Sequence, residues 1–269
     1  MSRFEDVWSL WQTGFPEDSE EDARAFWEAV GKDAKCLFLY EGERPVSMAF
    51  LIPATLWDGE KEWPVWYVYA AVTHPDFRGR GYFARLLDEA ADLAAQNGVA
   101  SLFLRPAEES LFGYYARCGF TSCFETAVFE RQGEELYTKT VWQPVTTGYA
   151  ALRNGWLTRM GVPFVKWTDP VADFAVEMAK EAGGGALFCD RGLVLYHRED
   201  DDIVVQELLC DPADREMLCA SMAREMPCHK LHIRAPKKAG ETGEQFGMYR
   251  PCGGEQPKGN GWYMGLTLE

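Results

Sequence analysis

The chain has 269 residues, 47% of them apolar, and a formal net charge of −15. That length suits one large domain or two ordinary ones, and the apolar share is that of a globular protein, not of a disordered or fibrous one. The charge argues against nucleic acid as a partner, because neutralising phosphates needs clustered Lys and Arg. It points only weakly to a cationic small molecule or a basic peptide, and charge for solubility is the preferred reading. No apolar run reaches the roughly 20 residues of a membrane span, and the start MSRFEDVWSLW has no signal-peptide pattern. Eight scattered cysteines without a Cys-x-x-Cys pair predict reduced thiols in a cytoplasm.

Along the chain, DVWSLWQTGFPEDSEEDARAFWEAVG predicts one or two amphipathic helices with Trp8, Trp11, Phe15, Phe26 and Trp27 as apolar members. CLFLY and VSMAFLIP predict two strands joined at EGERP. VWYVYAAVT, residues 65–73, is a continuous β-branched and aromatic run, the pattern of a strand covered on both faces. Next comes THPDFRGRGYFARLL, which crowds Arg78, Arg80 and Arg85 around Gly79 and Gly81. Helical spacing of Phe83, Leu86, Leu87, Ala90, Leu93 and Ala94 predicts a helix that stops before Gly98. SLFLR predicts another buried strand, and FETAVFER with EELYTKTVW around QGE predicts a hairpin.

The second half repeats this order. GALFCDRGLVLYHRE mirrors the strand–turn–strand of KCLFLYEGERPVSMAFL, and DIVVQELLCDP mirrors VYAAVTHPD. A helix follows, with Asp211 as its cap and Pro212 in its first turn. KLHIRAP stands where SLFLRPA stood, and GWYMGLTLE reads as a closing strand. The expected fold class is a mixed α/β sheet in two tandem domains, 1–143 and 144–269, divided near QPVTTG. The second copy has no glycine loop.

The glycine stretch admits a plain tight turn, since glycine supplies positive φ. A dinucleotide fold fits poorly, although GRGYFA matches G-x-G-x-x-A, because HPDF separates the glycines from the strand and an antiparallel pair precedes it. The remaining reading is an anion cradle. Unpaired N–H groups at a helix start bind phosphate, glycines let it approach the backbone, and the arginines add charge in an acidic chain.

VTHPDFRGRGYFARLL resembles the acetyl-CoA-binding motif Q/R-x-x-G-x-G/A of the GNAT superfamily of N-acetyltransferases. Arg78 and Gly81 occupy its first and fourth positions. Phe83 stands at the sixth, where Gly or Ala is usual, with Ala84 next. YYARCGF resembles the family's Y-x-x-x-G-F, and the element order of the first 143 residues also matches. The duplicated layout resembles tandem members, including the enhanced-intracellular-survival type without its sterol-carrier-like third domain.

The resemblance implies acetyl-CoA as co-substrate, no metal, and a small-molecule or peptide amine as acceptor. It implies a splayed strand whose backbone at Ala71, Val72 and Thr73 holds the acetyl and pantetheine groups. The loop from Arg78 through Gly79, Arg80 and Gly81 to Phe83 and Ala84 would take the pyrophosphate. Tyr115 would protonate the leaving thiolate; packing over the helix end is its other reading. The base is not specified. Tyr67 stands where histone-modifying members hold a glutamate, Tyr69 shares its face, His74 reads as a turn cap, and Glu269 could supply the chain's terminal carboxylate. Cys228, His229 and His232 of CHKLH have zinc-ligand residue types but no second pair, so a strand reading is preferred. Trp8, Trp11 and Phe15 read as core; the resemblance, in which the first helices roof the acceptor site, also allows some of them to line an apolar or cation-binding pocket. An N-acetyltransferase is thus expected, the alternative being a non-catalytic acyl-CoA-binding or regulatory protein of the same fold.

Overall fold

The computed structural model describes residues 4–31, 34–131, 140–226, 228–238 and 240–268. They gather into two compact units. The first comprises Met1–Leu56, Lys61–Ser122 and Gly247–Lys258; the second comprises Trp57–Glu60, Cys123–Phe246 and Gly259–Glu269. Each unit therefore draws on several stretches of chain, which a single cut between 143 and 144 does not reproduce. No helix among the described residues is long and apolar enough to cross a membrane.

The first unit opens with α1 (Phe4–Gly14) and α2 (Glu20–Ala29). Ser19 and Asp22 start α2 with a reciprocal capping box: the Ser19 hydroxyl accepts the Asp22 N–H, and the Asp22 carboxylate accepts the Ser19 N–H. Then come β1 (Lys35–Glu41) and β2 (Arg44–Trp57), antiparallel across a turn at Gly42. β3 (Glu62–Thr73), α3 (Tyr82–Gln96) and β4 (Ser101–Leu104) form a crossover that leaves β3 and β4 parallel. The stripe Leu86, Leu87, Ala90, Ala91 and Ala94 of α3 buries against Trp66 and Val68 of β3 and Leu102 and Leu104 of β4. After β4 comes the short α4 (Phe112–Arg117). A strand from far along the chain, Glu244–Pro251, completes the sheet by pairing its residues Met248–Pro251 antiparallel to Leu104–Ser101.

The second unit contains β5 (Thr121–Arg131), β6 (Gln143–Pro144), α5 (Tyr149–Met160), β7 (Phe164–Lys166), α6 (Asp169–Glu181), β8 (Gly185–Cys189), β9 (Gly192–Glu199), β10 (Asp202–Cys210), α7 (Arg215–Glu225) and β11 (Leu231–Ala235). β8, β9 and β10 are successive antiparallel neighbours, β10 and β11 are parallel through α7, and β11 pairs antiparallel with β5. This repeats the order of the first unit, so the duplication read from the sequence is present in the fold.

Three sequence expectations change. The helix cap is Asp214, not Asp211, and its side chain makes no capping bond; Asp211 accepts the Asp214 N–H through its backbone carbonyl instead. The expected hairpin has its return at 132–139, outside the described residues, and β5 finds its partner in β11. GWYMGLTLE is no closing strand: only Trp262 and Tyr263 make isolated bridges, because Gly261 and Gly265 hold φ of +70° and +66°. Glu269 lies outside the described residues.

The second core encloses an ion pair. Arg153 Nε lies 2.9 Å from Glu207 Oε1, both side chains are fully buried, and the Tyr149 hydroxyl donates to Glu207 Oε2 at 2.7 Å. The other Arg153 nitrogens donate to the carbonyls of Val165 and Met264, each at 2.7 Å. A Cβ at Gly265 would overlap the Glu207 carboxylate, which explains the glycine there. Removing one partner strands a charge that water cannot reach. Arg153→Ala is expected to lower the unfolding free energy by about 3–5 kcal/mol, measured by urea denaturation.

Candidate functional site

β3 and β4 stay together only where Val65–Tyr67 face Ser101–Phe103, although β3 runs on to Thr73. The break coincides with Ala70, whose φ of +47° is uncommon for a residue with a Cβ. The β2 side stays tied. Buried Ser47 donates to the Val72 carbonyl at 3.1 Å and accepts from the Thr73 hydroxyl at 2.9 Å, and the His74 N–H donates to the Val46 carbonyl. The side toward β4 is left open.

His74 then starts a 3₁₀ turn, Pro75–Phe77, by accepting the Asp76 N–H on Nδ1, which makes it a cap. Arg78 folds back so that Nε donates to the Thr73 carbonyl at 3.0 Å. Gly79 and Gly81 adopt φ of +74° and +80°, and a Cβ on either would meet nothing within 4 Å. They are thus glycines for conformation and access, not for want of space. α3 begins without a side-chain cap and without an acidic residue in its first turn. Its first internal bond runs from the Arg85 N–H to the Gly81 carbonyl, so the N–H groups of Tyr82, Phe83 and Ala84 have no partner inside the helix.

A cavity of about 500 Å³ opens between this helix start, the end of β3 and α4. Of the residues expected from the sequence, Ala71, Thr73, Arg78, Gly79, Gly81, Phe83, Ala84 and Tyr115 line it. Val72 and Arg80 do not. Val72 is buried against Gly14, and the Arg80 guanidinium sits 5.1 Å from the Phe77 ring centre. Phe77, Tyr82, Leu111 and Tyr114 line it as well. Phe77 and Leu111 were not expected from the sequence, whereas Tyr82 lies inside the loop expected to take the pyrophosphate and Tyr114 adjoins the expected tyrosine.

Both tyrosines of α4 meet Phe83: the Tyr114 ring stacks on it at 6.0 Å, and Tyr115 meets it edge-on at 6.1 Å. Burial, with Cys118 adding to it, pushes the Tyr114 phenol up to about 12. Burial also pushes up the Tyr115 phenol, followed in effect by Tyr114. The loop carries Arg78 and Arg80 beside Asp76, and the Tyr82 hydroxyl donates to Glu41. Arg85 is paired with Glu89 at 3.0 Å, whereas Arg78, Arg80 and Arg117 have no carboxylate partner among the described residues. Backbone donors and free cations together suit a polyphosphate.

On the other face of β3, Tyr67 and Tyr69 stack at 6.0 Å beneath α1 and α2. Burial pushes both phenols above their ordinary value, so neither is a base near neutrality. His232 bridges Asp202 at 3.2 Å and Glu130 at 3.3 Å in the second unit, and His229 lies 3.5 Å from Asp202. Among the described residues no group of three or more His, Cys, Asp and Glu has the geometry to hold a metal ion.

Residues 1–123 match the family profile described as acetyltransferase (GNAT) domain. No curated protein matches the chain. Similar solved structures include a probable N-acyltransferase from Enterococcus faecalis, with TM-score 0.74 and 14% identity over 93% of this chain and 70% of that one. A GCN5-related N-acetyltransferase from Anabaena variabilis gives TM-score 0.74 and 13% identity over 94% and 72%. A tandem GNAT protein from the clavulanic acid biosynthesis pathway gives 0.53 and 10% over 94% and 96%. At such identities the likeness is one of fold.

Because the space beside Gly81 is empty, Gly81→Ala should cost only its backbone strain, about 1–2 kcal/mol. Chemical denaturation checks this; a loss well beyond that range would mean that the loop packs more tightly than its geometry indicates.

Proposed function

We propose that the protein, whose residues 1–123 match the profile described as acetyltransferase (GNAT) domain, transfers an acetyl group from acetyl-CoA to a primary amine of a small molecule or peptide. The observation that carries this reading is the cavity joining the open length of β3 to the glycine-turned start of α3. The N–H groups from Gly79 to Ala84, with Arg78 and Arg80 close by, receive the pyrophosphate. The backbone of β3 from Ala71 to Thr73 receives the pantetheine, and the Ala71 N–H holds the thioester carbonyl. One such donor to a developing oxyanion is worth about 10² to 10³ in rate. Eight unbridged cysteines support a reducing, cytoplasmic setting.

The amine must first be neutral, which for an alkylammonium at pH 7 costs roughly 4–5 kcal/mol. Its nitrogen then attacks the carbonyl carbon, the C–N bond forms and the C–S bond breaks. The thiolate takes a proton from Tyr115, which regains one from solvent, and the nitrogen releases its surplus proton to water, since the Tyr67 and Tyr69 phenols are no bases near neutrality and His74 Nδ1 is engaged by the Asp76 N–H. Burial keeps Tyr115 protonated, and the same desolvation makes a thiolate in that space more basic, so donor and acceptor move together.

The second unit is proposed to bind no cofactor. The turn Asp211–Asp214 replaces the glycine loop, Asp214 sits at the start of α7 paired with Arg191, and Arg215 is engaged by Glu241. A carboxylate stands where phosphate would have to approach. A non-catalytic acyl-CoA-binding role is favoured by one observation, the lack of a carboxylate or imidazole among the described residues lining the cavity. Tyr115 at the cavity wall argues the other way.

Calorimetry should give one acetyl-CoA site per chain, abolished by Gly81→Glu, which sets a charge where phosphate sits. Two equivalent sites would overturn the assignment of the second unit. Tyr115→Phe should leave acetyl-CoA affinity within a few fold while turnover falls about 10² to 10⁴. Tyr114→Phe should be mild, and unchanged turnover in Tyr115→Phe would favour the binding protein. The raised Tyr115 phenol keeps its proton until the pH exceeds its folded-state value, so no alkaline fall in turnover assignable to it is expected below about pH 10.

A further inference from the structure

Resting on that reading, we propose that Asp18, among the rings of Trp11, Phe15 and Tyr69, is the docking point for positive charge on the acceptor, which makes the acceptor a cationic amine. Asp18 lies between α1 and α2. Its carboxylate accepts the Trp11 indole N–H at 2.8 Å, and its own N–H donates to the Phe15 carbonyl at 3.2 Å. Both bonds fix the group in place. The Trp11 ring centre lies 5.0 Å from that of Phe15 and 6.3 Å from that of Tyr69. Trp11 is buried, but Phe15, Asp18 and Tyr69 are only half-buried, so the patch has an accessible side.

The side-chain partner of this carboxylate is uncharged. Glu125, Asp202, Glu207, Asp214 and Glu241, each buried or half-buried, have Lys237, His232, Arg153, Arg191 and Arg215 beside them. Asp18 has an indole N–H and no basic partner among the described residues. Its negative charge also bears on the Tyr69 hydroxyl, helping burial to raise that phenol. Tyr69 and the cavity-lining Ala71 flank the left-handed Ala70 on β3. A half-buried carboxylate with aromatic rings nearby attracts an ammonium through its charge, and the rings add cation–π attraction, neither available to a neutral molecule.

The test measures binding of n-butylammonium, butane-1,4-diammonium and n-butanol to the protein saturated with CoA, by ligand-observed NMR. The wild type should bind both cations at least about tenfold more tightly than the alcohol. Asp18→Asn keeps an oxygen for the Trp11 N–H and removes only the charge; it should bring that ratio to within about threefold of unity while acetyl-CoA affinity holds. Asp18→Glu should retain most of the preference, which a purely structural role of the Trp11 bond would not explain. No preference in the wild type, or a preference that survives Asp18→Asn, overturns the proposal. Failure of acetyl-CoA to bind would instead remove the transferase reading, and an Asp18-dependent preference would then stand as amine recognition alone.

Discussion

The first unit depends on the parting of β3 from β4 after Tyr67. A parallel ladder that ran on to Thr73 would occupy the backbone groups that border the cavity and close it. The left-handed Ala70 is unfavourable for an L-residue, and such strain persists only where the surroundings impose it. Here the surroundings do so through short-range bonds. Ser47 grips Val72 and Thr73 from β2, His74 is tied to Val46, and Arg78 reaches back to Thr73. One edge of the strand is held so that the other can stay open.

The loop that follows works because of its attachment to the core. Leu86 and Leu87, one turn into α3, are fully buried, so the helix start is anchored against the sheet while its first N–H groups face the cavity. Left-handed glycines then turn the chain without filling that space. Local charge reinforces the same outcome: a chain with a surplus of acids keeps them out of the first turn of α3 and leaves arginines uncompensated nearby. Conformation, anchoring and electrostatics converge on one kind of ligand.

Much of this is legible in the sequence because the physics is local. Helical spacing from Phe83 to Ala94, the unbroken apolar run of β3 and the paired glycines each name their own structure. Tyr115, found through its motif, sits in the cavity wall with the loop residues. What escapes is non-local or carries no sequence mark. Alternating hydrophobicity says that β5 is a strand but not that β11 is its partner, since a pleated pattern fits many neighbours. Nothing about an alanine announces a left-handed φ at position 70. Val72 and Arg80 belong to the motif stretch but point away, because alternate strand residues face opposite sides and an arginine can prefer a ring to the cavity. Arg153 and Glu207 look like surface charges until the chain end is wrapped over them.

The placement of Met248–Pro251 against β4 has a consequence during synthesis. Translation at about 5–20 residues per second delivers that strand on the order of ten seconds after β4 has left the ribosome. Over that interval the first unit exists with its sheet one strand short, and the outer hydrogen-bonding groups of β4 form an unsatisfied edge of the kind that templates aggregation. The two units must therefore mature together: the earlier one waits for residues encoded after nearly all of the later one. A nascent-chain chaperone would find its substrate in that exposed edge, and a ribosome stalled within the second unit would leave the first unable to finish folding.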